Sequence, residues 1–482
     1  MATLQEIDAY VAQQMRISNI RTRNAITDRV TKERFPRRSA ILKLEKLLRS
    51  FQAGQDPRWI ALLGLRGVGK TTMISQLFQA IRCNPKNKIF VSVDNAKDTL
   101  EIGVSEITQG YERYLGLTFE ELTEPVYIFL DEIHFDPKWA LSLKTLTDRS
   151  EYIFVVTTGS SVAEIKKALD SDTARRILAE TLHPLSFTEY LLLRDSKKPV
   201  GGLGGKIRSA LYESADVDEA YARLVALRDD VKSYWTGVNQ ADIDKYIKYA
   251  NLPFTLTYGD NEQHIYQQIA QIITTIINKD IASLGNFDNA TIRKINPILY
   301  TLANTSIASV NNMSSVHSID RGVLTLVLEA LEKASVVQRV YPYAQHEAQT
   351  TRPSKYLFVS PAYRSMFFNL VGSVVKYDDY KGFLLEDIVG LYLSILTRQG
   401  LSTLAGGLSI TYDGADNGAD FIVSTDVRRV CIEVGYGSKK PKQANASKVR
   451  HKCIYGLTVS SSPLSKSTDS VTVPLSFFLL TA

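Results

Sequence analysis

The chain has 482 residues, 44% of them hydrophobic and 22% charged, which exceeds what one core usually organises and reads as ordinary globular composition rather than fibrous or disordered. No apolar run approaches the ~18 residues a membrane span requires, and three widely spaced cysteines (Cys83, Cys431, Cys453) fit neither a disulfide scaffold nor a zinc site. The formal charge of +6, from 57 basic and 51 acidic side chains, makes a polyanionic partner the charge class worth testing.

The polar stretch Met1 to Met15 lacks the apolar core of a secretory signal, so a cytoplasmic location is expected, with no membrane partner. Arg16, Arg21, Arg23, Arg29, Lys32, Arg34, Arg37 and Arg38 make residues 1–38 a basic N-terminal segment. Residues 39–195 read as a P-loop ATPase core: a helical pattern over Ser39 to Phe51 precedes β-rich runs at Trp59 to Leu63, Lys88 to Val93, Val126 to Leu130, Tyr152 to Thr158 and Ala179 to Leu185. Such runs alternating with helical patterns predict an α/β fold with a parallel sheet. The Pro- and Gly-rich text Ser196 to Gly205 marks a boundary, followed by a helical lid (196–286). Helical patterns at Thr291 to Ala303 and Arg321 to Lys333, then strands at Val336 to Tyr341 and Tyr356 to Val359, predict a winged helix (287–375). A closing α/β domain (376–482) carries strand patterns at Leu408 to Thr411, Ala419 to Val423, Val430 to Val434, Cys453 to Val459 and Val471 to Leu480. It also holds a second basic cluster, Lys439, Lys440, Lys442, Lys448, Arg450 and Lys452. Either cluster reads as a surface for DNA or RNA phosphates or as a solvated face.

The chemistry is densest at Gly64-Leu65-Arg66-Gly67-Val68-Gly69-Lys70-Thr71, a GxxxxGK[ST] loop between a predicted strand and helix (Walker A), with Thr72 next in line. Its glycines let backbone N–H groups converge on ATP phosphates, Lys70 neutralises phosphate oxygens, and Thr71 offers a hydroxyl to Mg²⁺. An apolar strand then delivers Asp131 and Glu132 (Walker B) at its carboxyl end, the first to hold Mg²⁺ and the second to orient the attacking water. Thr158 and Ser160 follow the next strand as polar contacts to phosphate or water, or else belong to a plain turn. Arg175 and Arg176 either reach a phosphate of their own or a neighbouring subunit, or make surface salt bridges.

Gly64 to Thr71, Phe129 to His134, Thr158 to Ser161, Leu182 to Tyr190, Asn278 to Ile281, Phe383 to Glu386 and Gly418 to Phe421 together resemble prokaryotic AAA-type ATPases of the archaeal, STAND-related branch. The resemblance runs from about Arg38 to Ala482. It implies that the Tyr152 to Thr158 strand lies between the two nucleotide-binding strands and carries a polar sensor. It also implies a winged helix and a C-terminal domain similar to PD-(D/E)XK nucleases.

That domain offers Glu386, Asp420 and Glu433 as a candidate second metal site, but Gly435 stands where such nucleases place a lysine. Lys439 or Lys440 is the available substitute. The functional expectation is an ATP-binding and ATP-hydrolysing, Mg-dependent AAA-type switch coupled to a nucleic-acid-facing module, in a homo-oligomer or with a protein partner. An ATP-regulated nuclease and a nucleotide-binding scaffold for protein partners are the alternatives.

Overall fold

Runs of Ile, Val, Phe and Leu that are buried along their whole length form β1 (Trp59–Leu63), β2 (Lys88–Ser92), β3 (Val126–Asp131) and β4 (Ile153–Gly159), with β5 (Ile177–Thr181) less deeply buried at one margin. Burial on both faces is what a parallel sheet between helices demands. All pairings are parallel, in the order β2-β3-β4-β1-β5. The carboxyl ends therefore share one edge, and β4 lies between the strand feeding the phosphate loop and the strand ending in Asp131. The sequence placed the fifth strand at Ala179 to Leu185. In the structure it is shifted towards the N-terminus: Leu182 N–H still donates to Leu63 O at 2.7 Å, and Pro184 then has no N–H to continue the ladder.

This computed structural model describes residues 2–159, 177–284, 287–344, 349, 352–370, 375–399, 408–425, 428–437 and 439–482. It divides into two units, Met1–His183 with Lys333–Ser335, and Pro184–Glu332 with Val336–Ala482. Among the described residues no helix is long and apolar enough to cross a membrane.

In the first unit the helices are α1 (Leu4–Ala25), α2 (Ile41–Gln52), α3 (Lys70–Ala80), α4 (Val93–Leu100), α5 (Val104–Leu115) and α6 (Trp139–Arg149). The basic N-terminal segment is not a separate arm. A Thr3/Glu6 capping box starts α1, and Ile7, Tyr10 and Val11 join the core. Gly110 on α5 admits α1 closely, since a Cβ there would stand 2.8 Å from Val11 Cγ2. The helix also covers edge strand β2: Ser18 Oγ accepts from Phe90 N–H at 3.0 Å, while its hydroxyl donates to Gln14 O at 2.7 Å and lies 3.3 Å from Phe90 O. An exposed edge is a template for unwanted pairing, and α1 removes it.

The second unit is built on one nine-stranded sheet of order β13-β14-β12-β11-β10-β9-β7-β8-β6. Its first part runs α7 (Asn289–Ala303), β6 (Ile307–Ala308), α8 (Val310–Val316), α9 (Arg321–Lys333), β7 (Val337–Pro342) and β8 (Ser354–Phe358). The β6 strand and α8 were not visible in the sequence, being a two-residue strand and a seven-residue helix without marked periodicity. Helices α10 (Pro361–Leu370) and α11 (Tyr377–Gln399) lead to β9 (Ser409–Tyr412), β10 (Phe421–Ser424), β11 (Arg429–Val434), α12 (Lys442–His451), β12 (Tyr455–Ser460), β13 (Ser465–Lys466) and β14 (Ser470–Pro474). The strand expected over Val471 to Leu480 stops at Pro474, after which Leu475–Phe478 form a helical turn.

Parallel pairing of β7 with β9 joins the three-stranded portion to the C-terminal strands, so the expected division near 376 falls within one sheet and the one near 287 within one unit. Helices of the expected lid also pack in this unit. Tyr455 Oη donates to Leu211 O at 2.8 Å and Trp235 Nε1 to Ser476 O at 2.7 Å, and Phe187, from the end of the expected ATPase core, donates its N–H to Tyr392 Oη at 2.8 Å.

Candidate functional site

Residues Gly64 to Thr71 carry the chain from β1 into α3, and the turn needs its glycines. Gly64, Gly67 and Gly69 have φ of 147°, 85° and 91°, values that L side chains rarely adopt. At Gly64 a Cβ would also stand 2.3 Å from Leu182 O. The first N–H groups of a helix lack acceptors within it, so the loop and the start of α3, where Lys70, Thr71 and Thr72 sit, form a natural anion cradle. Lys70 is 5% exposed, and its Nζ donates to Gly64 O at 2.8 Å and Leu65 O at 3.2 Å. The ammonium is thus held inside the loop by backbone carbonyls that phosphate oxygens could replace.

Asp131 ends β3 beside this loop. Thr71 Oγ1 donates to Asp131 Oδ2 at 2.9 Å, and Thr158 Oγ1, from β4, donates to Asp131 Oδ1 at 2.5 Å. Burial pushes the Asp131 carboxyl above its ordinary range, assisted by the Glu132 charge and opposed by Thr158, Thr71 and Lys70. A buried carboxylate with a hydroxyl alongside is the hard-oxygen donor set that suits Mg²⁺. These two side chains therefore fit a cation accompanying nucleotide phosphates. Glu132 has φ 53°, an uncommon conformation for a non-glycine residue and one concentrated at functional sites. Its N–H donates to Thr158 Oγ1 at 2.9 Å. Its carboxylate stands 3.9 Å from Arg66 Nη1 and 3.5 Å from His134 Nδ1.

Thr158 is thus turned onto the two carboxylate-bearing residues, where the sequence reading aimed it at phosphate or water. Ser160, Arg175 and Arg176 lie outside the described residues. Two arginines acquire roles the sequence did not assign. Arg66 faces Glu132 from within the phosphate loop. Arg38, counted only as part of a basic cluster, is buried and donates from Nη1 to Val68 O and from Nη2 to His183 O, each at 2.9 Å.

The C-terminal carboxylates are also near one another in the fold, but protein donors hold them. Lys355, on β8 and 2% exposed, places Nζ 2.8 Å from Glu386 Oε2 and 3.0 Å from Asp420 Oδ1. Asp420 Oδ2 accepts from Val434 N–H at 2.8 Å. Glu433 Oε2 accepts from Ala444 N–H at 3.0 Å, and its Oε1 is 3.3 Å from Lys439 Nζ. Among the described residues no group of three or more His, Cys, Asp or Glu is arranged to hold a metal ion, so the expected second metal site at Glu386, Asp420 and Glu433 does not fit a metal in this arrangement.

The basic clusters are partly used internally. Arg37 pairs with Glu45, Lys448 with Asp469 and Arg450 with Asp413, while Arg16, Arg23, Arg29, Lys32, Arg34, Lys440, Lys442 and Lys452 are exposed. Arg339 on β7 donates to Ser354 Oγ at 2.9 Å and lies over the Tyr341 ring.

A family model covers the same stretch of the chain as this parallel sheet. Residues 56–191 match the family model described as an AAA domain. Among solved structures, the Aeropyrum pernix ORC1 protein in complex with DNA is 11% identical, over 72% of this chain and 96% of that one, at a TM-score of 0.34. The Thermotoga maritima RuvB Holliday junction branch migration motor is 14% identical, over 66% of this chain and 93% of that one, at 0.28. The uncharacterized protein MJ1637 of Methanocaldococcus jannaschii is 30% identical over 405 residues, 83% of this chain and 80% of that protein. The chain, a mixed α/β protein with a parallel-sheet P-loop ATPase core, therefore belongs to the family of MJ1637.

Proposed function

We propose that the protein is a Mg-dependent, ATP-hydrolysing switch of the AAA type whose nucleotide state is read out by a nucleic-acid-facing module. The observation that carries the ATPase reading is the convergence of Lys70, Thr71, Asp131 and Thr158 at the carboxyl edge of the parallel sheet, with Glu132 next to them. Lys70 and the loop N–H groups would bind the phosphates of ATP and ADP, and Thr71 and Asp131 would hold Mg²⁺. That ion would neutralise charge on the transferred phosphoryl group. Glu132 orients the attacking water and accepts its proton.

Two observations support DNA or RNA as the downstream partner. The element order α7-β6-α8-α9-β7-β8, with β8 pairing antiparallel to both β6 and β7, supports reading the 287–375 stretch as a winged helix. The exposed cations of the two basic clusters can neutralise phosphates. Assembly into a homo-oligomer, completed by Arg175 or Arg176, belongs to the same proposal. The alternative of a metal-dependent nuclease has little support in carboxylates that already hold protein donors.

Nucleotide binding and phosphate release by the purified chain test the ATPase reading. Lys70→Ala is expected to abolish tight ATP binding. Glu132→Gln is expected to keep binding and lose at least ~100-fold in turnover, the scale of a general base. Ordinary turnover in Glu132→Gln would refute the assignment. For the partner, affinity for DNA or RNA should fall steeply between 50 and 200 mM salt if phosphate contacts carry binding, by roughly ten- to a thousandfold for several contacts.

A further inference from the structure

The C-terminal constellation departs from the metal site that its resemblance implies, and the departure has an identifiable cause. Glu386 comes from α11 and Asp420 from the start of β10, while the cation between them comes from β8, an element outside the C-terminal strands. Lys355 is internal to the sheet at this point, its Cα facing Val340 on β7 and Ile307 on β6. Its ammonium has two carboxylates within 3.0 Å, the Asp420 carbonyl at 3.4 Å, and the Phe421 ring beneath it at 5.0 Å from the centroid. Burial alone would push the Lys355 ammonium towards neutrality, but the Glu386 and Asp420 charges outweigh it and hold the group protonated.

The second lysine of the constellation has also moved. Lys439 runs across Gly435, where a Cβ would stand 2.5 Å from Lys439 Cδ, and its ammonium reaches Glu433 at 3.3 Å. A side chain at position 435 would collide with it.

We propose that Lys355 is the resident cation of this acidic constellation, an ammonium tethered to β8 that takes the place of a divalent metal. Asp420 and Glu433 then have protein donors and Glu386 has the paired ammonium, and a metal ion can enter between Glu386 and Asp420 only by displacing a buried charge of its own sign. The carboxylates hold α11 and β10 to β8, with no metal to gain or lose.

Mn²⁺ uptake by the full chain without nucleotide, counted from the loss of the free-ion electron paramagnetic resonance signal, tests this. Wild type and Asp420→Asn are expected to take up equal amounts of Mn²⁺. Lys355→Ala, which uncovers Glu386 and Asp420, is expected to take up one further ion per chain that Lys355→Ala/Asp420→Asn does not. Mn²⁺ should also raise the Tm of Lys355→Ala by more than it raises that of wild type. If wild type binds an ion that Asp420→Asn loses, the proposal is overturned whatever the fate of the Lys355 variants. A Lys355→Ala protein that retains ATP binding yet gains no ion overturns it too.

Discussion

Thr158 shows how much of a nucleotide site can rest on one hydroxyl. Its Oγ1 donates to Asp131 and accepts from the N–H of Glu132, so one side chain fixes the orientation of the Asp131 carboxylate and the strained backbone of the residue next to it. Valine has nearly the same shape but neither donates nor accepts. Thr158→Val should therefore leave Glu132 N–H unpaired and Asp131 short of a donor. We expect turnover to fall by about 10- to 100-fold, the usual effect of removing a partner that orients a ligand. Thr158→Ser, which keeps the hydroxyl, should retain most of the activity. Steady-state phosphate release with both variants checks this, and a valine variant as active as the serine variant would show that the hydroxyl is dispensable.

At the level of elements, α1 illustrates a relation between distant segments that sequence patterns do not carry. Its buried Ser18 hydroxyl supplies the acceptor for the N–H that an edge strand would otherwise present to solvent at Phe90, while its hydrogen goes to Gln14 O. Ser18→Ala leaves the buried Phe90 N–H without that partner, which costs about 1–3 kcal/mol. We expect a lower Tm and faster amide hydrogen exchange at Phe90, with much smaller change on central strand β3. Equal exchange at Phe90 in both proteins would refute the role given to Ser18. The strands of the parallel sheet were legible because burial on both faces leaves an apolar run, and the phosphate loop because its glycines answer to a local backbone requirement. Lys355 and Arg38 were not legible. Each acts on groups far away in the chain, and a single lysine or arginine carries no periodicity by which a partner could be read. Leu475–Phe478 was misread because an apolar run continues beyond Pro474 while the backbone does not.

At the scale of the whole molecule, the nine-stranded sheet of the second unit joins the portion carrying β6, β7 and β8 to the C-terminal strands, and Arg364 is buried between helices of the two. Its guanidinium donates to Asp387 Oδ1 and Oδ2 at 3.0 and 2.6 Å, to Leu302 O at 3.0 Å and to Ala303 O at 2.8 Å. Asp387 also accepts from Phe358 N–H on β8 at 2.9 Å. Both side chains are fully inaccessible. Removing one partner of such a pair strands a charge and costs about 3–5 kcal/mol, but the two removals are not equivalent. A carboxyl can take up a proton, whereas a guanidinium remains charged. Burial already pushes the Asp387 carboxyl up to about 6, although Arg364 and the Phe358 N–H oppose the shift. The folded value thus lies above the unfolded one of ~3.9. The folded chain therefore retains a proton that the unfolded chain has released, and this group's contribution to stability is full below pH ~4 and lost as pH rises through about 6. Arg364→Met removes the strongest opposing charge and should move the loss to higher pH, so that its stability declines between pH 6 and 8 where that of wild type has levelled off. Asp387→Asn has no such escape and should be the more destabilised of the two at pH 6. Thermal unfolding of both variants across this range, followed by hydrogen exchange in α10 and α11, decides the matter. If Asp387→Asn proved the more stable variant at pH 6, the ion pair would not be what holds the two portions of the sheet together.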